Sequence, residues 1–223
     1  MIVVSRLVWG IEGRHLGGPL DATWTDCPLL LVGPNGCGKT TLLRTLAGIL
    51  LPVSGTITLA GRDIVREPWA ARRNCGWMPD RPPVPLTARV REWLDLVRWA
   101  KRLGRDLPPI AGDLGIPELL SRPLGACSLG QQRRVGLVAA LMGDPQVILL
   151  DEPDRGLDAA AMQCLQELLR WRAAHGRLSV LSSHDAACAA RIGACTMVLG
   201  DQGSSPCADT AGIRSKDLIG PEN

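Results

Sequence analysis

The chain has 223 residues, 46% of them hydrophobic, which suffices for one sizeable domain or for one domain with a small subdomain. Its formal net charge is only +3, with 25 basic and 22 acidic residues, so its charge does not favour nucleic acid as a partner. The sequence contains no apolar run of about 18 residues and no secretory signal, so we expect a cytoplasmic protein that does not itself span a membrane.

The first third of the chain alternates between strand-like and helix-like patterns. A short apolar run predicts a buried strand at 28–32, and leucine and isoleucine at helical spacing predict a helix over 39–50. Residues 54–61 alternate in polarity, are rich in β-branched residues and are bounded by glycines, so they favour a hairpin.

The middle of the chain differs from both ends. Residues 79–85 contain four prolines and must form a loop, whereas 90–103 have the spacing of an amphipathic helix. We predict that 86–124 form a small helical subdomain inserted in the main domain, which covers 1–200. Residues 201–223 show little apolar periodicity, and we predict a flexible C-terminal tail there.

The last third returns to the alternation of the first. Two further buried strands are predicted at 147–150 and 178–182, with a helix over 159–171 between them. Such alternation is typical of a mostly parallel sheet covered by helices on both faces. The expected fold class is therefore α/β: a mostly parallel sheet flanked by helices, with an antiparallel β portion and the inserted helical subdomain.

A glycine-rich loop follows the first predicted buried strand. It matches GxxxxGK[ST] between a strand and a helix, where glycines and a helix N-terminus let backbone N–H groups converge on phosphates. The lysine offers a cation to the β- and γ-phosphates, and the threonine hydroxyl after it can bind Mg²⁺. The motif makes the predicted sheet and helices a P-loop NTPase core. The loop alone does not distinguish kinases, GTPases and transport ATPases. The predicted nucleotide contacts are Gly33, Pro34, Asn35, Gly36, Cys37, Gly38, Lys39, Thr40 and Thr41.

Two adjacent carboxylates, Asp151 and Glu152, follow the predicted strand at 147–150. A strand end delivers both side chains to the rim of the sheet at which the phosphate loop also lies. We expect Asp151 to hold Mg²⁺ and Glu152 to polarise the attacking water. An acidic surface turn is a plausible alternative for one carboxylate but a poor one for two directly after four apolar residues.

With these motifs the sequence resembles the ATP-binding-cassette (ABC) family, over roughly residues 1–200. Ser128-Leu-Gly-Gln-Gln132 is similar to the family signature, Leu-Ser-Gly-Gly-Gln, and Gly156-Leu-Asp158 is similar to its D-loop. His184 stands where the family has a histidine that senses the γ-phosphate. Trp9 stands about where the family has an aromatic that stacks on adenine. Plain packing is the alternative for Trp9, and an ordinary histidine is the alternative for His184.

The resemblance implies an ATPase that converts ATP and water to ADP and phosphate with ATP and Mg²⁺ bound. The catalytic residues would be Glu152, His184 and Lys39, and Thr40, Asp80 and Asp151 would contact the metal. Ser128 followed by Gln131 also forms a capping-box pattern, so a helix should start there and expose its free N–H groups. In the family this helix start faces the nucleotide of the opposite subunit, so the residues that complete the partner's site would be Ser128, Gly130 and Gln131.

Four positions depart from the family pattern. Cys127 and Leu129 replace a leucine and the first glycine of the signature, and Asp80 replaces the glutamine of the lid loop. Arg155 replaces a small polar residue in the D-loop. Because none of these changes removes a catalytic residue named above, we expect an active ATPase.

Local similarities narrow the expected function. Residues 76–94 resemble the ATPases of ABC-2-type exporters, and the short chain with its Ser128–Val135 segment resembles the haem-exporter ATPase of cytochrome c biogenesis. The resemblance implies a homo- or heterodimer that powers export through a separate membrane permease, peripheral on the inner face of the cell membrane. The lid loop and the helix at 90–103 would form the docking face, with Trp93 and Trp99 as candidate contacts. A regulatory, non-catalytic cassette beside a more competent one is the alternative.

Overall fold

The computed structural model of the chain describes residues 1–25, 27–81, 83, 85–104, 106–183, 187–200 and 205–206, with only the backbone described at 187–189 and 205–206. The strands within these ranges are β1 (Ile2–Ile11), β2 (Arg14–Trp24), β3 (Leu29–Val32), β4 (Ser54–Leu59), β5 (Arg62–Asp63), β6 (Cys75–Met78), β7 (Val147–Asp151), β8 (Leu178–Ser182), β9 (Cys195–Val198) and β10 (Ser205–Pro206). The α-helices are α1 (Lys39–Leu46), α2 (Pro68–Arg73), α3 (Val90–Lys101), α4 (Ile110–Asp113), α5 (Leu129–Leu141), α6 (Ala159–Ala174) and α7 (Ala187–Ile192).

The strands form two sheets. A four-stranded sheet has the order β2-β1-β4-β5 and is antiparallel throughout. A six-stranded sheet has the order β10-β9-β3-β8-β7-β6, and its pairs are parallel except for the β10–β9 pair at one edge. The predicted fold class is thereby confirmed.

Both faces of the central strands β3, β7 and β8 are buried, which explains their mainly apolar sequences. Leu29 and Leu31 of β3 point to the side occupied by α1 and the antiparallel sheet. Leu30, between them, points to the side occupied by α3, α5 and α6. Successive residues of a strand alternate between its two faces, so one short strand contributes to both cores.

The order of strands in the parallel sheet positions the site. The strand β8 lies between β3 and β7, so the phosphate loop after β3 and the carboxylates at the end of β7 flank the end of β8. In the register of the sheet, Ser182 is opposite Leu31 on one side and Asp151 on the other. A hydroxyl therefore stands between the two predicted motifs.

The helix boundaries differ slightly from those predicted. The helix α1 ends at Leu46 and not at residue 50, because Gly48 has a φ of 67° and the N–H of Ile49 bonds to the carbonyl of Arg44. Such a left-handed glycine is a common helix terminator. Conversely, α6 continues to Ala174, three residues beyond the predicted end.

The stretch that we predicted as a helical subdomain, 86–124, contains α3, α4 and a 3₁₀ turn at Pro117–Leu119. A bridge between Arg89 and Pro123 joins its two ends. Of the predicted tail, only residues 205–206 lie within the described ranges. No helix in the described part of the chain is both long and apolar enough to cross a membrane.

Candidate nucleotide-binding site

The predicted phosphate loop connects β3 to α1. Gly38, at the N-cap of α1, has a φ of 98°, which residues with a Cβ rarely adopt. No side chain caps this helix end, and its first turn contains no acidic residue, so its N–H groups are available to an anion. At the start of the loop, a Cβ on Gly33 would lie 2.2 Å from the carbonyl oxygen of Leu199, so only glycine fits there.

Lys39 spans the loop from its end to its start. The Nζ of this buried side chain donates to the carbonyl oxygens of Gly33, at 2.7 Å, and Pro34, at 3.0 Å. The Sγ of Cys37 lies 4.0 Å from the same ammonium group. The loop thus holds a positive charge beside the free N–H groups of α1, as phosphate binding requires.

Thr40 and Asp151, both expected to contact Mg²⁺, lie together. The Thr40 hydroxyl donates to Oδ1 of Asp151 at 3.1 Å, and the Ser182 hydroxyl donates to the same oxygen at 2.7 Å. Burial raises the pKa of the Asp151 carboxyl, although the hydrogen bonds from Ser182 and Thr40 oppose the rise.

The hydroxyl and the carboxylate fit Mg²⁺. Both are hard oxygen donors, and Mg²⁺ at nucleotide sites is usually held by one or two protein oxygens together with phosphates and water. Among the described residues, no group of three or more His, Cys, Asp or Glu side chains could hold a metal by itself. The site therefore fits an ion that arrives with a nucleotide.

Glu152 follows Asp151 with an unusual backbone. Its φ of 48° is in the left-handed region, and its N–H donates to the Ser182 hydroxyl at 2.9 Å. Its carbonyl accepts a hydrogen bond from Nη1 of Arg133. Its carboxylate contacts Nη1 of Arg155 at 3.3 Å. Contacts on both sides of this residue hold a conformation that a non-glycine residue would otherwise avoid.

The predicted capping box is confirmed at the start of α5. The Gln131 N–H donates to Oγ of Ser128 at 3.2 Å, and the Ser128 N–H donates to Oε1 of Gln131 at 2.9 Å. A Cβ on Gly130 would lie 2.3 Å from the carbonyl oxygen of Gly156. The signature helix therefore packs directly against the D-loop of the same chain, and Leu129 is left 50% exposed beside that contact.

Trp9 does not present the open ring that adenine stacking would need. Its side chain is fully buried, and a Cβ on Gly17 would lie 2.2 Å from its Cζ2 atom. Its Nε1 lies 3.1 Å from the place of a Cβ on Gly38, so the indole packs over the end of the phosphate loop. Trp24, at the end of β2, is buried as well, whereas Ile11 at the end of β1 is 42% exposed.

Asp80 is engaged by a residue that the sequence reasoning missed. Its Oδ1 lies 2.6 Å from Nη2 of Arg133, whose side chain is 2% exposed. Ser182 was missed too, although a serine at the end of an apolar strand next to an acidic strand end was a usable signal. His184 lies outside the described residues.

Comparisons with known proteins identify the family of the chain. A sequence profile of the ABC transporter family matches residues 26–155, which include the phosphate loop, the signature and the acidic strand end. The chain is 35% identical over 181 residues to the cytochrome c biogenesis ATP-binding export protein CcmA of Pseudomonas syringae pv. syringae (strain B728a), covering 78% of this chain and 83% of that protein. It is 37% identical over 161 residues to ATP-binding cassette sub-family A member 7 of Rattus norvegicus, covering 69% of this chain but only 7% of the rat protein.

The comparison with solved structures gives the same answer. The ATP-binding subunit of an ABC transporter superposes with a TM-score of 0.81 at 26% identity, covering 92% of this chain and 88% of that one. Sequence profile, relatives and fold agree with the motifs described above. The chain therefore belongs to the ABC transporter family and is a P-loop ATP-binding cassette of that family.

Proposed function

We propose that the chain binds and hydrolyses ATP as the cassette subunit of an ABC transporter. The observation that carries the proposal is the contact of Thr40 with Asp151 beside the phosphate loop, with Glu152 next in the chain. The phosphate loop, two oxygen donors suited to Mg²⁺ and a carboxylate that can polarise water thus lie next to one another. Such an arrangement is what phosphoryl transfer to water requires.

Each residue has a separable role in the proposed reaction. Lys39 and the N–H groups of α1 hold the phosphates, and Thr40 and Asp151 would hold Mg²⁺, which supplies charge neutralisation at the phosphates. Glu152 orients the attacking water and accepts its hydrogen bond. We keep the proposal that His184 contacts the γ-phosphate.

Turnover tests this proposal. We expect phosphate release from MgATP by the purified chain, and a loss of about 100-fold or more in kcat for Glu152→Gln, with ATP affinity retained. Asp144→Asn, which removes the carboxylate of the exposed ion pair with Arg177, serves as the control. Equal rates for the wild type and Glu152→Gln would mean that the chain only binds nucleotide.

We further propose that the cassette acts as a dimer, with either a second copy or a different cassette. The exposed Leu129 at the start of α5 supports this proposal, because the helix end is open to a partner's nucleotide. Docking on a separate membrane permease would keep the chain on the cytoplasmic face of the membrane. The even balance of its charges gives no reason to add a nucleic-acid partner.

A groove beside the lid loop is the proposed docking face for that permease. It has a volume of about 330 Å³ and adjoins a second depression of about 970 Å³. Among the described residues, no acidic side chain lines either depression. Together they are lined by four tryptophans and five basic residues: Trp69, Trp77, Trp93, Trp99, Arg72, Arg73, Arg98, Lys101 and Arg102. Trp93 packs in the core, but Trp69 and Trp99 are 80% and 79% exposed. An apolar permease segment with acidic residues would complement this face.

Co-purification with candidate membrane permeases from the same organism tests the docking face. We expect Trp99→Ala combined with Arg73→Glu to abolish co-purification while leaving nucleotide binding unchanged. Trp171→Ala on α6, which removes another exposed tryptophan, is the matched control. If the double variant still co-purifies like the wild type, the permease docks elsewhere.

A regulatory, non-catalytic cassette is the second candidate, favoured by the contact of Arg155 with Glu152 and by the leucine in the signature. Vanadate trapping of nucleotide, with and without a second, catalytically competent cassette, separates the two functions. Trapping by the chain alone supports catalysis by a homodimer. Trapping only in the mixture, unaffected by Glu152→Gln, supports a regulatory role.

A further inference from the structure

Arg133 is a buried cation at the meeting point of three functional segments. Its side chain projects from α5, the helix that begins at the signature, and is only 2% exposed. Its Nη2 pairs with Oδ1 of Asp80 in the lid loop at 2.6 Å. A guanidinium at such a depth needs a compensating charge, and Asp80 provides it.

The same guanidinium reaches the catalytic strand end. Its Nη1 donates to the carbonyl oxygen of Glu152, while the N–H of Glu152 donates to Ser182 at 2.9 Å. Glu152 has a φ of 48°, so its backbone depends on its neighbours to hold it in place. Arg133 therefore connects the lid loop to the main chain of the residue that polarises water.

Two of the departures from the family pattern meet at this arginine. Asp80 and Leu129 line the same cavity as Arg133, and that cavity measures only about 10 Å³. The segments are packed closely enough that a displacement of the lid loop or of the signature would move the arginine. The aspartate is the natural partner for a guanidinium, whereas the glutamine usual at position 80 is neutral.

We propose that Arg133 is a positioning residue for hydrolysis. Asp80 then acts on Glu152 through its ion pair with Arg133, and not by contacting the metal ion. The inference rests on the proposed ATP hydrolysis, and it replaces the expectation that Asp80 contacts Mg²⁺. Thr40 and Asp151 suffice to hold the ion together with phosphates and water. Asp80 instead neutralises the arginine that holds the Glu152 backbone.

Steady-state kinetics of Asp80→Asn, Arg133→Gln and the double variant test the proposal. We expect each single substitution to lower kcat about tenfold or more, because the water-polarising carboxylate shifts, with KM for ATP within twofold. The double variant should be no slower than Arg133→Gln alone, because both substitutions break one connection. Arg133→Lys, which keeps the charge, should recover part of the rate. Asp144→Asn, which breaks the ion pair of Asp144 with Arg177, is the control.

The Mg²⁺ dependence separates the two roles of Asp80. If Asp80 acts through Arg133, the Mg²⁺ concentration at half-maximal rate is the same in Asp80→Asn as in the wild type. A midpoint raised fivefold or more, or single effects that multiply in the double variant, would overturn the proposal. A purely structural role would lower the melting temperature without the selective loss of kcat, and that result would overturn it too.

A binding assay tests the role of Asp80 independently of ATP hydrolysis. If the wild type releases no phosphate, hydrolysis fails as a function, and Mg²⁺-dependent binding of a fluorescent ATP analogue takes the place of turnover. An unchanged Mg²⁺ midpoint for Asp80→Asn in that assay supports the Arg133 pairing. A raised midpoint makes Asp80 a metal contact and overturns it.

Discussion

Arg155 pairs with the carboxylate of Glu152, with its Nη1 3.3 Å from Oε2. The arginine side chain is 63% exposed, whereas that of the glutamate is 17% exposed. A cation on this carboxylate competes with the water that the proposed reaction requires there. The residue that departs from the family pattern in the D-loop is thus in direct contact with the residue that we expect to catalyse hydrolysis.

We predict that Arg155→Ser raises kcat by about two- to fivefold, the size expected from an exposed ion pair. Added NaCl should also raise the wild-type kcat, because salt screens exposed ion pairs such as that of Arg155 with Glu152. Arg62→Ser, which breaks the exposed pair of Arg62 with Glu67, is the control and should change neither kcat nor its response to NaCl. A slower Arg155→Ser enzyme would show that the arginine supports catalysis.

The Ser182 hydroxyl donates to the Asp151 carboxylate and accepts a hydrogen bond from the main-chain N–H of Glu152. Ser182→Ala removes the hydroxyl that accepts a hydrogen bond from the Glu152 N–H, and we expect the free energy of unfolding to fall by about 1–3 kcal/mol. We also expect kcat to fall about tenfold or more, because Glu152 loses its positioning. Ser179→Ala on the same strand also breaks a buried hydrogen bond, to Arg172, and should lower stability with little effect on kcat. Loss of rate in both variants alike would point to general destabilisation.

Asp151 gives a pH dependence of defined sign. Burial raises its pKa above the ordinary 3.8, so the folded chain binds this proton more tightly than the unfolded chain. Its favourable contribution is fully present below pH 3.8 and is lost as the pH rises through the folded-state pKa. At pH 7 the ionised carboxylate therefore destabilises the nucleotide-free fold.

We expect Asp151→Asn to raise the Tm of the nucleotide-free chain by about 2–4 °C at neutral pH, with a smaller gain in acid. Asp63 is the control of opposite sign, because hydrogen bonds from the Arg66 and Val65 N–H groups lower the pKa of its carboxyl. Asp63→Asn should lower the Tm at neutral pH. A melting series between pH 5 and 8 measures both, and a lower Tm for Asp151→Asn would contradict the role of burial.

Substitution of Trp9 tests whether its indole packs in the core or stacks on the adenine of ATP. Since the indole is fully buried over Gly17, Trp9→Phe should reduce the free energy of unfolding by about 1–2 kcal/mol but leave the Kd for ATP within twofold. Ile11→Ala, at an exposed position two residues along, should leave stability nearly unchanged. A tenfold loss of ATP affinity in Trp9→Phe at retained stability would restore the stacking role that the sequence suggested.

Three strands of the parallel sheet, β3, β7 and β8, were predictable because each is a short, mainly apolar run. The strand β2 was not, since Gly17, Gly18 and Pro19 lie within it and local propensity argues against a strand there. The strand β1 was not predicted either, although its isoleucine, valine and tryptophan residues favour a strand. The pairing of these two strands is decided by tertiary contacts, such as the packing of Trp9 over Gly17.

Some residues of the candidate site were likewise predictable from the sequence, and others were not. Residues in contiguous motifs, such as Lys39 and Asp151, were identifiable because spacing and local structure fix their roles. The pairing of Asp80 with Arg133 was not, because the two residues are 53 positions apart and only the docking of α5 beside β6 brings them together. Departures from a motif thus show where the sequence is unusual, while the structure shows what each one contacts.

The central claim is that this site works across a pair of cassettes. Sedimentation velocity of Glu152→Gln with MgATP tests it most directly, because a hydrolysis-deficient cassette should accumulate with ATP at the dimer interface. We predict a monomer without nucleotide or with ADP and a dimer with MgATP, and a return to monomer when Lys39→Ala is added to remove the phosphate contact. A monomer under all these conditions, with ATP demonstrably bound, would contradict a homodimeric composite site.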